Sequence, residues 1–254
     1  MITEMDFPTR SLLFAKLASM AYADEKTVTK EAKALGFTTV EFYNRDGAQA
    51  YRLMNKSDVV IACRGTEPTC FNDIKADLKA IPVMAETVSR VHRGFKNEVD
   101  DLWPMVKEDL LRVSKTRKAW FCGHSLGAAM TTIMAARCNA DPAMPNIEEI
   151  YTYGSPRVGW RKYVQSLNVT HHRWRNNNDI VTTVPFNIMG YRHHGTEHYM
   201  NAYGKVRQLT AWQRVKDRWR GIVMGIKKGS IDSFSDHNMS AYIANLEAWN
   251  KEQD

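Results

Sequence analysis

The sequence predicts an α/β fold, with a mainly parallel sheet carrying helices on its faces. Three observations lead there. Short apolar runs at 59–63, 119–122 and 150–153 read as strands buried on both faces. The stretches at 96–114 and 126–139 read as helices, and strands alternating with helices of that length make β-α-β units. Finally, 254 residues with 44% hydrophobic and 25% charged content can fill one sizeable core. Neither a repeat nor a low-complexity linker divides them, so 1–254 is expected to be a single domain.

The first periodic segment is 11–22, where Leu13, Phe14, Leu17, Met20 and Ala21 recur at helical spacing. Extended segments follow at 39–43 and 50–54, separated by the turn signal Asn44-Arg-Asp-Gly47. Next come the run Val59-Val-Ile-Ala-Cys63 and a short amphipathic stretch in which Phe71, Ile74, Leu78 and Ile81 share a helical face. Beyond 150–153, residues 171–175 read as a further strand and 241–249 as a C-terminal helix. Between these, 209–228 repeats Trp212, Val215, Trp219, Ile222, Val223 and Ile226 at three- and four-residue steps, with Arg214, Lys216, Arg218, Arg220, Lys227 and Lys228 as a basic complement. Such a helix suits an anionic membrane interface, or it packs on its own domain like any amphipathic helix.

Charge narrows the function classes less than it first promises. There are 35 Lys+Arg against 28 Asp+Glu, a net +7, which speaks to non-specific attraction and not to role. No helix-turn-helix, RNP-like or zinc-finger pattern accompanies it, so no nucleic-acid partner is expected. No window approaches the ~20 apolar residues of a membrane span. The opening Met-Ile-Thr-Glu-Met-Asp-Phe-Pro has two acids before any base and no apolar run after it, so it reads as no secretory signal and a cytoplasmic location is expected. Four cysteines, Cys63, Cys70, Cys122 and Cys138, are too few for a disulfide scaffold and are expected as thiols.

The strongest chemical signal is Gly123-His124-Ser125-Leu126-Gly127, lying between a strand and a helix. A serine nucleophile on a tight strand-to-helix turn needs small residues two before and two after it, because larger ones meet the neighbouring backbone. The helix N-terminus beneath it favours developing negative charge. The hydroxyl needs a base and the base an orienting acid. If the chain order is Ser, acid, His, then Asp179, just beyond the strand at 171–175, is the best acid. His237, in the polar loop before the last helix, is the best base.

With those residues in view, the sequence resembles the fungal-type (class 3) lipase family of the α/β-hydrolase superfamily over nearly its whole length. The landmarks are Arg64-Gly65-Thr66, Asp77-Leu78, Val91-His-Arg-Gly-Phe95, the Gly123–Gly127 motif, Tyr151-Thr-Tyr-Gly-Ser-Pro-Arg-Val158, Asn178-Asp-Ile-Val181 with Pro185, Gly190-Tyr-Arg-His193 and Asp236-His237. The resemblance implies an α/β-hydrolase fold with Ser125 as nucleophile, Asp179 as orienting acid and His237 as general base. It further implies an oxyanion hole made by Thr66 and the N–H of Leu126, with Asp77 holding the Thr66 hydroxyl and Gly123, His124 and Gly127 supporting the turn. By position, 67–81 corresponds to a lid over the serine. Two departures stand out: Ala128 follows Gly127 where the family often has a second glycine, and many relatives are secreted.

The stretch His194-Gly-Thr-Glu197-His198 matches a zinc-peptidase pattern, whose chemistry requires a helix. Gly190, Gly195 and the polar surroundings argue for a loop, so no metal is expected there, and none elsewhere. The expected function is hydrolysis of lipid esters through an acyl-enzyme, without cofactor, on a lipid surface such as an anionic membrane or a lipid droplet. A phospholipase A1 or a feruloyl-type esterase on the same scaffold is the alternative within enzymes. A catalytically silent, basic membrane-binding protein is the alternative outside them.

Overall fold

The computed structural model describes residues 1–65, 80–227 and 236–253. A seven-stranded sheet organises them, in the spatial order β1-β2-β3-β6-β7-β9-β11. Its strands are β1 (Thr39–Arg45), β2 (Ala48–Met54), β3 (Asp58–Cys63), β6 (Lys118–His124), β7 (Ile147–Tyr153), β9 (Thr170–Asn176) and β11 (Thr196–Met200). From β3 to β11 every pairing is parallel, and β1 and β2 add an antiparallel edge through the turn at Asp46-Gly47. A second, antiparallel sheet joins the short β4 (Pro82–Met84), β5 (Arg90–His92), β8 (Gly159–Trp160) and β10 (Tyr191–Arg192).

The continuous apolar runs are buried on both faces because helices cover both. Val59, Ile61 and Cys63 face one layer, and Val60 and Ala62 the other. The first layer holds α3 (Arg93–Val113), whose Phe95, Val99, Leu102, Val106 and Leu110 form one inward stripe, and α4 (Leu126–Ala140). Helix α4 is buried along almost its whole length, since its alanines let it lie close to the sheet. The second layer holds α1 (Phe7–Met20), α2 (Glu25–Ala34) and α7 (Met239–Lys251), with Phe14, Leu17, Val28, Tyr242 and Leu246 inside. Asp6 caps α1 by accepting from the Thr9 N–H at 2.8 Å, and Asn238 caps α7 through the Ser240 N–H at 2.9 Å. The remaining α-helices among the described residues are α5 (Arg161–Ser166) and α6 (Ala211–Lys227). No described helix is long and apolar enough to cross a membrane.

Two differences from the sequence reading have physical causes. The stretch 194–198 was expected as a loop, yet β11 is a full strand paired parallel to β9. Its polar residues are partnered: Glu197 with Arg173 at 3.1 Å and with Arg214, and His198 with His172 at 3.0 Å. Ion pairs replace the apolar alternation that marks a strand. The extended backbone also denies His194 and His198 the common helical face a zinc site needs. The second difference is α2, absent from the sequence reading because only Val28 and Ala32 of its ten residues are buried. Of the cysteines, Cys63, Cys122 and Cys138 are buried free thiols, and burial pushes the Cys63 thiol up to about 12. Cys70 lies outside the described residues.

Candidate active site

Strand β6 ends at His124, the chain turns at Ser125, and α4 begins at Leu126. Ser125 has φ 57° and ψ −126°, a conformation that L-residues avoid and that surrounding packing must enforce. Its N–H donates to the Tyr153 carbonyl at 3.1 Å, at the C-terminal end of the neighbouring β7. Its own carbonyl accepts from the Ala128 and Ala129 N–H groups of the first helical turn. The flanking glycines are required by space. A Cβ on Gly127 would collide with the Cys63 carbonyl of β3, and one on Gly123 would fall 2.7 Å from the Thr131 hydroxyl and into the Gly127 backbone. Leu126 opens α4, so its N–H has no acceptor further back in the helix.

Asp179 follows β9 and is fully buried. Its carboxylate accepts from the Val181 N–H at 2.9 Å, from the Tyr242 hydroxyl at 2.6 Å, and from His237 Nδ1 at 2.9 Å to each oxygen. A carboxylate can only accept, so His237 carries a proton on Nδ1, and Nε2 is the ring nitrogen that can act as a base. Gly154, with φ +58°, sits against both groups: a Cβ there would come within 2.7 Å of Asp179 Oδ2 and His237 Nδ1. Gly154 directly follows Tyr153, whose carbonyl holds Ser125. The structure therefore gathers Ser125, Asp179 and His237 around the C-terminal ends of β6, β7 and β9, where a parallel sheet presents its site.

His124 makes the second link between serine and histidine. Its Nε2–H donates to the His237 carbonyl at 2.7 Å, and its Nδ1 accepts from the Tyr22 hydroxyl at 2.8 Å. Burial, with His237 beside it, holds the His124 pKa well below its ordinary 6.5, so the ring stays neutral and keeps this one tautomer. Burial and the adjacent Asp179 likewise hold the Tyr242 phenol well above 10, fixing it as a donor. Gly154 entered the sequence reading only as part of the 151–158 landmark, and Tyr22 and Tyr242 were not singled out from the sequence. Tyr242 could have been, since a tyrosine on the buried face of a helix needs a partner for its hydroxyl. Thr66, Asp77 and most of the 67–81 segment lie outside the described residues. Among the described residues, no group of three His, Cys, Asp or Glu side chains is placed to hold a metal ion.

The family model described as lipase (class 3) matches residues 60–189 of this chain. Toxin TseL of Vibrio cholerae is 30% identical over 190 residues, which cover 58% of this chain and 29% of that protein. A lipase of Rhizopus niveus is 32% identical over 145 residues, covering 53% of this chain and 37% of the lipase. The matched regions thus span only about a third of the length of these curated relatives. The solved structure of Rhizomucor miehei triacylglyceride lipase superposes with a TM-score of 0.65 at 22% identity, covering 77% of this chain and 81% of that one. At that identity the likeness is one of fold: the mainly parallel sheet flanked by helices is that of an α/β-hydrolase.

Proposed function

The chain belongs to the class 3 lipase family, and from that premise we propose that it hydrolyses carboxylic esters of lipids, with Ser125 as nucleophile, His237 as general base and Asp179 as orienting acid. The observation that carries the reading is the pair of 2.9 Å bonds from His237 Nδ1 to a buried Asp179 carboxylate, together with a serine on a strained turn directly after His124, the residue that binds the His237 carbonyl. In this scheme Ser125 Oγ attacks the ester carbonyl carbon while His237 Nε2 takes its proton. The imidazolium is stabilised by Asp179. The oxyanion receives the Leu126 N–H, and by family position the N–H and hydroxyl of Thr66, which Asp77 would orient. Donors fixed in advance in this way are typically worth ~3–4 kcal/mol of barrier each. The tetrahedral intermediate collapses as His237 passes its proton to the leaving alkoxide, releasing the alcohol and leaving an acyl-Ser125. Water, deprotonated by the same His237, then frees the fatty acid and restores the serine.

The segment 67–81 is proposed as the lid, and an anionic membrane or lipid-droplet surface as the place where the substrate is met. Replacing Ser125 with alanine is expected to lower hydrolysis of p-nitrophenyl acyl esters by about 10⁴-fold or more while leaving the melting temperature close to the parent's. Retained turnover in that variant would end the assignment. An acyl series from C2 to C16, run beside a phospholipid, assigns the substrate class among lipase, phospholipase and aryl esterase.

A further inference from the structure

Helix α6 is docked by its polar side. Arg214 pairs with Glu197, the carboxylate that also binds Arg173. The buried Asp217 carboxylate accepts from the Tyr199 hydroxyl at 2.9 Å and the Ala202 N–H at 3.0 Å. One turn later Gly221 lies against two asparagines, and a Cβ there would come 2.7 Å from Asn178 Nδ2 and closer still to Asn177. Asn178 Nδ2 also donates to the Arg218 carbonyl at 3.0 Å. Positions 214, 217, 218 and 221 thus mark the face turned toward the protein, and none of these four carries an apolar side chain. The opposite face holds Trp212, Val215, Trp219 and Val223 at steps of three, four and four, with the tryptophans 66% and 65% exposed. Among the described side chains of α6 the usual arrangement of a surface helix, apolar in and polar out, is inverted.

What covers the stripe can be argued from its chemistry and its place. Basic residues flank it: Lys216 Nζ lies 5.3 Å from the Trp212 ring, and the Arg220 guanidinium 5.8 Å from the ring of Tyr203, itself exposed. The helix carries five basic residues and one acid, and that acid, Asp217, is on the buried side. Indole rings interleaved with cations match the headgroup level of an anionic bilayer, where tryptophan prefers to sit and lysine and arginine reach phosphate. A second copy of this chain fits less well, since an isologous contact would set Lys216 and Arg220 against their own equivalents. The helix also rests on Asn177 and Asn178, which lead directly into Asp179, so its outward face is tied to the site.

We infer that α6 is the membrane-docking element of this protein: Trp212, Val215, Trp219 and Val223 enter the interface of an anionic phospholipid bilayer, and Lys216 and Arg220 engage the phosphates. The inference rests on the lipid-ester reading of the site and adds the surface on which that site works.

The test uses Ser125→Ala protein, sedimented with vesicles of equal phosphatidylglycerol and phosphatidylcholine and with vesicles of phosphatidylcholine alone. Partitioning onto the anionic vesicles is expected to be at least tenfold stronger. The pairs Trp212→Ser with Trp219→Ser, and Lys216→Glu with Arg220→Glu, are each expected to weaken it at least tenfold, with melting temperatures reporting that both variants fold. A parent that does not bind, or equal binding by parent and both variants, overturns the inference. A concentration-dependent dimer that the serine pair dissolves, without vesicle binding, assigns the stripe to a second copy instead. Hydrolysis of monomeric p-nitrophenyl butyrate by the Ser125 protein is read separately. Turnover without vesicle binding removes the docking element and keeps the hydrolase, and vesicle binding without turnover does the reverse.

Discussion

Tyr242 and His237 approach the Asp179 carboxylate from different elements, and the Val181 N–H completes the set of donors. The tyrosine oxygen does two jobs, because it also accepts from the Asn176 N–H at 2.9 Å. Replacing Tyr242 with phenylalanine therefore strips one donor from a fully buried carboxylate and one acceptor from a buried N–H. A loss of about 1–3 kcal/mol in stability is expected, the cost of leaving buried polar groups unmade. With Asp179 less firmly held, kcat for the proposed ester hydrolysis should fall by roughly tenfold, the rate equivalent of ~1.4 kcal/mol of lost transition-state stabilisation. Denaturant melts and steady-state kinetics on the same variant check both. An unchanged kcat would mean that Asp179 needs only His237 and Val181 to stay in place.

At the scale of elements, the elbow between β6 and α4 is the least forgiving junction. A methyl on Gly127 meets the Cys63 backbone carbonyl in β3, and neither the central strand nor the buried helix can retreat. Gly127→Ala is expected to cost ~3 kcal/mol or more, at the upper end of overpacking effects, and to show as a large drop in melting temperature. Ala128, one residue on, is also fully buried and carries a methyl there, so the demand for glycine stops at Gly127. Legibility in the sequence follows the same physics. Val59 to Cys63 could be read because a strand covered on both faces must be apolar throughout, and Gly123 to Gly127 because only small residues fit that turn. Strand β11 could not, since Glu197 and His198 earn their burial through Arg173, Arg214 and His172, partners distant in sequence. Asp179 and His237 were found by chain order, whereas Tyr22 acts through a contact that no local pattern announces, and the helical pattern around Tyr242 signals a partner for its hydroxyl without naming Asp179.

For the molecule as a whole, the histidines set the response to acid. Six of the eight, His92, His124, His171, His193, His194 and His198, have pKa values lowered first of all by burial, to about 4 for His92 and His198. Their unfolded value is near 6.5, so below that pH the unfolded chain takes up protons that the folded chain refuses. Their contribution to stability is therefore full above about pH 6.5 and is lost as pH falls, by up to about 1.4 kcal/mol per pH unit for each ring that stays neutral. Melting temperatures recorded from pH 7.5 down to 5 should drop steeply below 6.5. A flat profile would show that these rings are protonated in the folded protein.

The line from the Tyr22 hydroxyl through the His124 ring to the His237 carbonyl crosses 102 and then 113 positions of sequence in two hydrogen bonds. Contacts that close such long loops are entropically late in folding, after local helices and neighbouring strands have formed. The proposed base is thus held by a seam that nothing nearby in the chain can supply. Catalytic competence would arrive as the closing event of folding, so that a partly folded chain, however much sheet it had formed, would be inert towards the lipids around it.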